Sequence, residues 1–187
     1  MSDAVSALPG AHYSGMVEMA EAGPRGMIVL RGDLASEAVA RAVQDATGQS
    51  VPKMRRIAQG KQTGVAWMAP DELLILTGYA EVPATLTGLN QALAGEFATV
   101  ADVSDARAVF TLKGAQARNV LAKACPVDFD DFPVGTIRRT RAAQVAAAIW
   151  RSAEDEFTLV CFRSVAHYMW DLLITLSRPG GEVGLYR

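Results

Sequence analysis

An internal duplication constrains the fold of this chain more than any other feature of its sequence. An apolar run that ends at Gly32 is matched by a second run that ends at Gly114, 82 positions later, and Trp67 is matched by Trp150 after 83 positions. Two further pieces recur in the same order, Lys53–Ile57 with Thr136–Thr140 and Asp71–Leu76 with Asp155–Val160. The spacing drifts only from 82 to 84, which needs two single-residue insertions. The sequence therefore predicts two structural repeats.

Each repeat has the pattern of a β-α-β-β-β unit followed by a closing helix. A β-branched strand ends at a glycine, which we expect to turn the chain because glycine tolerates positive φ. A helix follows, capped in the first repeat by Asp33 and stopped in the second by Pro126. Two strands and an apolar third strand come next. The closing helices are predicted at residues 83–94 and, with Ser164 as the cap, from residue 165 onward, where apolar residues recur at helical spacing.

The sequence thus predicts an α+β fold in which two pseudo-symmetric β-α-β-β-β units pack as one domain with flanking helices. The first residues lack periodicity and are rich in glycine and proline, so they are predicted to form an arm with one strand at residues 16–19. The expected parts of the chain are an N-terminal arm at 1–25, a domain at 26–178 with repeats at 26–95 and 100–178, and a C-terminal tail at 179–187.

Composition and charge argue against several classes of function. The 187 residues include 18 basic and 20 acidic side chains with a formal net charge of −2, which offers no broad basic surface for a nucleic acid. The N-terminus lacks the basic and apolar regions of a signal peptide, and no apolar stretch reaches the ~20 residues that cross a bilayer. Cys125 and Cys161 lie in apolar segments without a CxxC pair, as is typical of reduced, buried thiols. We expect a cytoplasmic protein with no membrane and no nucleic-acid partner.

The sequence predicts no catalytic, cofactor-binding or metal-ligating site. Each strand-helix junction has a single glycine, whereas a dinucleotide-binding loop needs three at fixed spacing. His12 and His167 are the two histidines, and neither has a zinc-ligand spacing. No GxSxG nucleophile elbow occurs. The paired carboxylates at Asp71-Glu72 and Asp155-Glu156 are more typical of solvated hairpin turns than of acid-base catalysis.

Two arginine pairs are the candidate site residues. Arg55 and Arg56 in the first repeat are matched by Arg138 and Arg139 in the second, each on a predicted short strand. The pairs could blunt an exposed sheet edge, because charge discourages edge-to-edge pairing. They could instead anchor the carboxylates of a partner subunit, since the planar guanidinium binds carboxylates bidentately. Binding of an anionic small molecule is the third alternative.

Several short pieces of the second repeat indicate a family. They are Val100–Ser104, Leu112–Ala117, Cys125–Asp128, Phe132–Gly135, Arg138–Arg141 and Phe157–Trp170. On these pieces the chain resembles the gamma subunits of heterotetrameric sarcosine oxidases, over about residues 25–178. It is similar, more distantly, to the folate-binding aminomethyltransferase of the glycine cleavage system.

The resemblance implies an aminomethyltransferase-like, folate-binding-like fold and a non-catalytic, structural place beside alpha, beta and delta subunits. Such a complex oxidises sarcosine with oxygen to glycine and hydrogen peroxide, and passes the one-carbon unit to tetrahydrofolate. In this family FAD, FMN and NAD belong to the two large subunits and zinc to the delta subunit. The resemblance therefore implies that this chain binds no cofactor of its own.

An autonomous folate-binding or one-carbon-transfer protein is the alternative function. Aminomethyltransferases continue the Asp-Val-Ser piece with a histidine and a nearby glycine. Here Ser104 is followed by Asp105, Ala106 and Arg107. Because of this departure, we expect a structural subunit in preference to a folate enzyme.

Overall fold

The computed structural model describes residues 4–186, and the chain divides into two compact units. The central unit runs from Pro24 to Ser104, and the terminal unit combines the residues up to Gly23 with those from Asp105 onward. Each unit has one antiparallel sheet with helices packed against a face of it. The predicted α+β class is confirmed. The placement of both repeats in a single domain at 26–178 stays a prediction.

The described residues contain eleven strands and four α-helices. In chain order these are β1 (His12–Ser14), β2 (Glu18–Glu21), β3 (Gly26–Arg31), α1 (Glu37–Thr47), β4 (Ile57–Gln59), β5 (Gly64–Ala69), β6 (Glu72–Thr77), α2 (Val82–Ala92), β7 (Thr99–Asp102), β8 (Arg107–Lys113), α3 (Ala117–Ala122), β9 (Ile137–Ala142), β10 (Val145–Ala153), β11 (Glu156–Phe162) and α4 (Ala166–Leu176).

The central unit orders its strands β4-β5-β6-β3-β7 and packs α1 and α2 on one face. Helix α1 begins after Ser36, whose hydroxyl accepts the N–H of Ala38 at 3.2 Å, and ends at Gly48 in the left-handed region. The predicted Asp33 cap is wrong, because that carboxylate accepts the N–H of Ala35 in the turn before the helix. Sheet and helices share an apolar core that includes Ile28, Leu30, Val43, Leu73, Ile75 and Leu89.

The terminal unit orders its strands β1-β2-β8-β11-β10-β9. A single-turn 3-10 segment at Arg163–Val165 runs directly into α4, so Val165 occupies the cap position and the predicted Ser164 cap is wrong. The core under α3 and α4 also receives two aromatic rings from the loop before β9, Phe129 and Phe132, which stack at 5.5 Å. Sheet and helix residues of this core include Phe110, Leu112, Leu121, Phe157, Leu159 and Met169.

Part of the predicted N-terminal arm belongs to this six-stranded sheet. Strand β2 pairs with β8, with Met19 opposite Leu112, and β1 forms the outer edge beyond β2. The strand predicted at residues 16–19 is therefore displaced towards Glu21, and β1 is an additional strand. Val17 and Met19 are buried in the core of the unit. Burial of these side chains explains why a segment without helical or strand periodicity is held in place.

The two units repeat the same element order, which confirms the duplication. The central unit runs β3-α1-β4-β5-β6-α2 and the terminal unit β8-α3-β9-β10-β11-α4. Gly32 donates its N–H to the Asp71 carbonyl at 3.0 Å, and Gly114 donates to the Asp155 carbonyl at 2.8 Å. The adjacent ion pairs are also duplicated, Arg31 with Glu72 at 3.2 Å and Lys113 with Glu156 at 3.1 Å.

The two junction glycines are needed for different reasons. Gly114 has φ of +133°, which side-chain-bearing residues rarely adopt, as the sequence predicts. Gly32 lies outside the positive-φ region, so the same prediction is wrong for it. A Cβ at Gly32 would lie 3.1 Å from the Cβ of Ala98, which shows a close approach between the end of β3 and the loop before β7. Gly32 therefore serves packing, not a turn.

Candidate interaction surfaces

The structure places the two arginine pairs in different units and different local settings. Arg138 and Arg139 lie on β9, an edge strand of the six-stranded sheet. Arg55 lies in the turn before β4 with φ of +61°, and Arg56 follows it just outside the strand. The prediction that both pairs lie on strands is therefore confirmed for β9 and wrong for the first repeat.

Strand register shows that the arginine pairs are not equivalent positions. Ile57 begins β4 opposite Ala66, and Ile137 begins β9 opposite Trp150. Counting back from these strand starts, Arg55 corresponds to Gly135, which also has positive φ, at +77°. Arg56 then corresponds to Thr136, and the N–H groups of Trp67 and Arg151 donate to these two carbonyls at 3.1 Å each. The arginine repeat in the sequence is thus displaced by three residues in the fold.

Arg138 and Arg139 point to opposite faces of β9 because successive strand residues alternate. Arg138 lies opposite Ile149, on the face covered by the helices, with its guanidinium 5.4 Å from the centroid of the Phe132 ring. Its Nη1 also donates to the Ile137 carbonyl at 3.1 Å. Arg139 is exposed on the other face, as is Arg141 two residues later. Arg138 therefore packs as part of the unit, whereas Arg139 and Arg141 present positive charge along a sheet edge.

The thiols do not fit a zinc site or a nucleophile. Burial raises the pKa of Cys125 from 9.0 to about 12. Burial also raises the pKa of Cys161 to about 11, and the nearby Arg107 guanidinium opposes this rise. Zinc and electrophiles react with the thiolate, which these pKa values suppress at neutral pH. Among residues 4–186, no group of three or more histidine, cysteine, aspartate or glutamate side chains could hold a metal ion.

The paired carboxylates and the Asp-Val-Ser piece have structural partners. Asp71 and Asp155 are exposed at the hairpin turns, as the sequence predicts for solvated turns. Glu72 departs from that prediction because it is buried and paired with Arg31, while the half-buried Glu156 is paired with Lys113. Ser104 donates its hydroxyl to Asp102 Oδ1 at 2.6 Å and accepts the N–H of Met27 at 3.0 Å. These bonds tie the end of β7 to the start of β3.

Phe97 is the surface residue that sequence reasoning misses. It lies at the tip of the loop between α2 and β7 with an exposed fraction of 103%, beside a shallow groove of ≈ 500 Å³. The groove is lined by Arg31, Asp33, Asp71 and Glu96 among others. The one sequence feature that could have drawn attention to Phe97 is a phenylalanine within a loop segment of small and polar residues. Periodicity cannot detect it, because the loop has none.

Comparisons with known proteins agree on one family. The sarcosine oxidase, gamma subunit family matches residues 31–178. The chain is 31% identical over 166 residues to the sarcosine oxidase subunit gamma of Corynebacterium sp. (strain U-96), covering 81% of this chain and 80% of that protein. It also matches a chain of the heterotetrameric sarcosine oxidase from Corynebacterium sp. U-96, solved in complex with pyrrole 2-carboxylate. That match has a TM-score of 0.80 at 29% identity over 89% of this chain and 87% of that one.

A more distant structural likeness concerns the fold alone. Aminomethyltransferase T of the glycine cleavage system from Bartonella henselae matches with a TM-score of 0.64 at 16% identity, over 83% of this chain and 45% of that chain. This agrees with the aminomethyltransferase-like fold expected from the sequence. Within the part of the chain that the structure describes, no helix has the length and apolar character to cross a membrane.

Proposed function

The chain belongs to the sarcosine oxidase gamma subunit family, and from that premise we propose that it is a non-catalytic subunit of a complex that oxidatively demethylates sarcosine to glycine. The observation that carries this proposal is the family match over residues 31–178 together with the likeness, over 89% of this chain, to a chain of a heterotetrameric sarcosine oxidase. The complex is an oxidoreductase, and its chemistry is assigned to other chains.

The chemistry of this chain's residues supports that assignment. Both thiols are buried and protonated, and their raised pKa values make them poor zinc ligands. Each strand-helix junction carries one glycine where a dinucleotide loop needs several. We therefore assign FAD, FMN and NAD to alpha and beta subunits, zinc to a delta subunit, and tetrahydrofolate to the complex outside this chain.

The proposed partners are the alpha, beta and delta subunits of the same oxidase. Arg139 and Arg141 are placed to contribute to one of the contacts, because both are exposed on the same face of edge strand β9. Arginine on a sheet edge can bind a partner carboxylate with two hydrogen bonds. The remaining candidate contacts are Arg55, Arg56 and Arg138, of which Arg138 is already packed on Phe132.

A cytoplasmic location is part of the proposal. Cys125 and Cys161 are both free and buried. Proteins of oxidising compartments commonly carry disulfides, whereas reduced thiols are typical of the cytosol. This supports a location in which sarcosine oxidation serves intracellular amino-acid metabolism.

The proposal is tested by tagging the chain and purifying it with its partners. We expect the tagged chain to recover the other subunits together with sarcosine-dependent hydrogen peroxide formation. The isolated chain, confirmed as folded by circular dichroism, should show no flavin absorption and no oxidase activity. Recovery of the chain without partners, or tetrahydrofolate binding by the isolated chain at micromolar affinity, would contradict the proposal. The second result would favour an autonomous folate-binding protein.

A further inference from the structure

We propose that Phe97 is an anchor residue that inserts into an apolar socket on another subunit of the oxidase, and that lysine or arginine side chains surround that socket. The inference deepens the proposed function and rests on it. The observation that carries it is a fully exposed phenylalanine on a hydrogen-bonded loop, bordered by acidic side chains. None of the arginine contacts considered above involves this surface.

The exposure of Phe97 is unusual for its residue type. Phenylalanine is among the residues most often buried, and its exposed fraction here is 103%. Other exposed apolar residues of the chain retain some cover, such as Met54 at 63% and Phe162 at 48%. Aromatic side chains are enriched in protein interfaces, where a few of them provide much of the binding energy. A single exposed aromatic at a loop tip therefore fits an anchor residue.

The loop holds Phe97 in position before any partner binds. Glu96 donates its N–H to the Leu93 carbonyl at 2.9 Å, and Ala98 donates to the Glu96 carbonyl at 2.9 Å. Ala98 packs against the apolar core of the central unit, and Gly32 leaves room for it at the end of β3. A side chain on a preordered backbone loses less conformational entropy on binding than one on a mobile loop.

Charge identifies the kind of partner. The groove beside Phe97 contains Asp33, Asp71 and Glu96, all exposed, and one arginine. The guanidinium of Arg31 is engaged by Glu72 at 3.2 Å and approaches Asp71 at 3.8 Å. Three exposed carboxylates and one guanidinium therefore line the groove, and the surface around Phe97 carries net negative charge. Interfaces are arranged so that opposite potentials meet, so the partner's socket should be rimmed by basic side chains.

A competition experiment tests the anchor in the intact complex. Wild-type chain and the Phe97→Ala variant, carrying tags of different mass, are co-expressed with limiting amounts of the other subunits. The complex is isolated through a tag on a partner, and the two forms are quantified by mass spectrometry. We expect the variant to be depleted by about tenfold or more relative to wild type. Met54→Ala, which removes an exposed apolar side chain of the same unit outside the groove, should show no depletion.

A second pair of variants tests the charge argument. The double variant Asp71→Asn, Glu96→Gln should also be depleted, and its depletion should shrink as the salt concentration of a reassembly assay rises. Asp45→Asn is the control, because it neutralises an exposed carboxylate that does not line this groove. Phe97→Ala should keep the thermal unfolding midpoint of wild type, because the removed side chain makes no packing contact.

The outcomes separate this inference from the proposed function. Equal recovery of Phe97→Ala and wild type in a complex that forms normally would overturn the anchor and leave the proposed function standing. Failure of the wild-type chain to recover any partner would overturn both. A dimer of the isolated chain that Phe97→Ala abolishes would show that a second copy occupies this surface, and would also overturn the inference.

Discussion

Trp67 and Arg151 occupy the same register position in the two sheets, each immediately before the bulge that precedes a hairpin turn. Trp67 lies opposite Leu73 on β6, and Arg151 lies opposite Phe157 on β11. One position of the duplicated fold therefore carries a half-buried indole in the central unit and a buried guanidinium in the terminal unit. The two copies therefore place different side chains at equivalent positions beside the turn.

Arg151 ties the β10–β11 turn to the loop before β9. Its Nε donates to the Glu154 carbonyl at 2.8 Å, its Nη2 to Glu154 Oε1 at 2.6 Å, and its Nη1 to the Phe132 carbonyl at 3.2 Å. We expect Arg151→Met to lower the free energy of unfolding by about 2–3 kcal/mol, because a buried carbonyl loses its donor. Urea unfolding measures this loss. The exposed Arg141→Met should change it by less than about 0.5 kcal/mol, and a similar loss in both variants would show that charge alone matters.

Gly114→Ala should destabilise the terminal unit more than Gly32→Ala destabilises the central unit. Gly114 has φ of +133°, which costs about 1–3 kcal/mol for a residue with a Cβ. Gly32 lacks positive φ, and its substitution brings a 3.1 Å contact that a small shift of Ala98 can relieve. Chemical unfolding of both variants gives the two free energies. An equal or reversed order would contradict the distinction between a conformational and a packing role.

Charge on the β9 edge should matter for assembly. We expect Arg139→Glu to weaken formation of the complex, by about 2–5 kcal/mol if the guanidinium pairs with a desolvated partner carboxylate. Arg178→Glu, a matched reversal of an exposed arginine after α4, should have little effect. Size-exclusion chromatography of the reconstituted complex, with the unfolding midpoint of the free chain, provides the measurement.

Arg138→Ala separates the packing role from the partner role. Because Arg138 lies over the Phe132 ring, we expect this variant to lower the unfolding midpoint of the free chain. Unchanged assembly in Arg139→Glu, together with unchanged midpoints in both variants, would leave the edge-blunting interpretation standing.

The buried thiols should make stability fall at alkaline pH. Burial raises the pKa of Cys125 to about 12 and that of Cys161 to about 11, so the folded state keeps protons that the unfolded thiols release from pH 9 upward. This contribution is present below pH 9 and is lost as the pH rises through about 11 and 12. Each thiol adds a slope of up to about 1.4 kcal/mol per pH unit. In the double variant Cys125→Ala, Cys161→Ala, the free energy of unfolding should decline less steeply between pH 9 and 10.5 than in wild type. The same slope in both proteins would refute this prediction.

Asn119 should hold the C-terminal tail. Its side chain donates to the Tyr186 carbonyl at 2.8 Å and accepts the Tyr186 N–H at 2.9 Å, while the Tyr186 ring contacts Phe129. We expect Asn119→Ala to increase the rate at which carboxypeptidase removes residues 182–186, followed by intact-mass spectrometry. Gln116→Ala is the control, since it removes a bond to Asn119 but leaves both bonds to Tyr186. Equal digestion of the two variants would argue against this role.

The family and the duplicated element order were accessible from the sequence because they depend on local patterns. The apolar runs, turn residues and short motifs of each repeat lie within a few positions of one another. Their recurrence therefore predicts the β-α-β-β-β unit without knowledge of how the chain packs. The resemblance to sarcosine oxidase gamma subunits, carried by pieces such as Cys125–Asp128, is confirmed by the family match. The helix caps were harder to predict. Ser36 and not Asp33 caps α1, although either side chain could accept a backbone N–H, because the path of the preceding turn determines which of them lies at the first helical turn.

Local sequence patterns were enough to predict two repeats of strands and helices and membership of a family. The tertiary structure alone decided which residues of the repeats correspond, because a bulge or a turn shifts strand register without leaving a periodic signal. Counted along the chain, Arg55 matches Arg138 and Trp67 matches Trp150. In the sheets, Arg55 matches Gly135 and Trp67 matches Arg151. The exposure of Phe97 was likewise decided by folding, because a loop side chain is buried or exposed according to distant residues that pack around it.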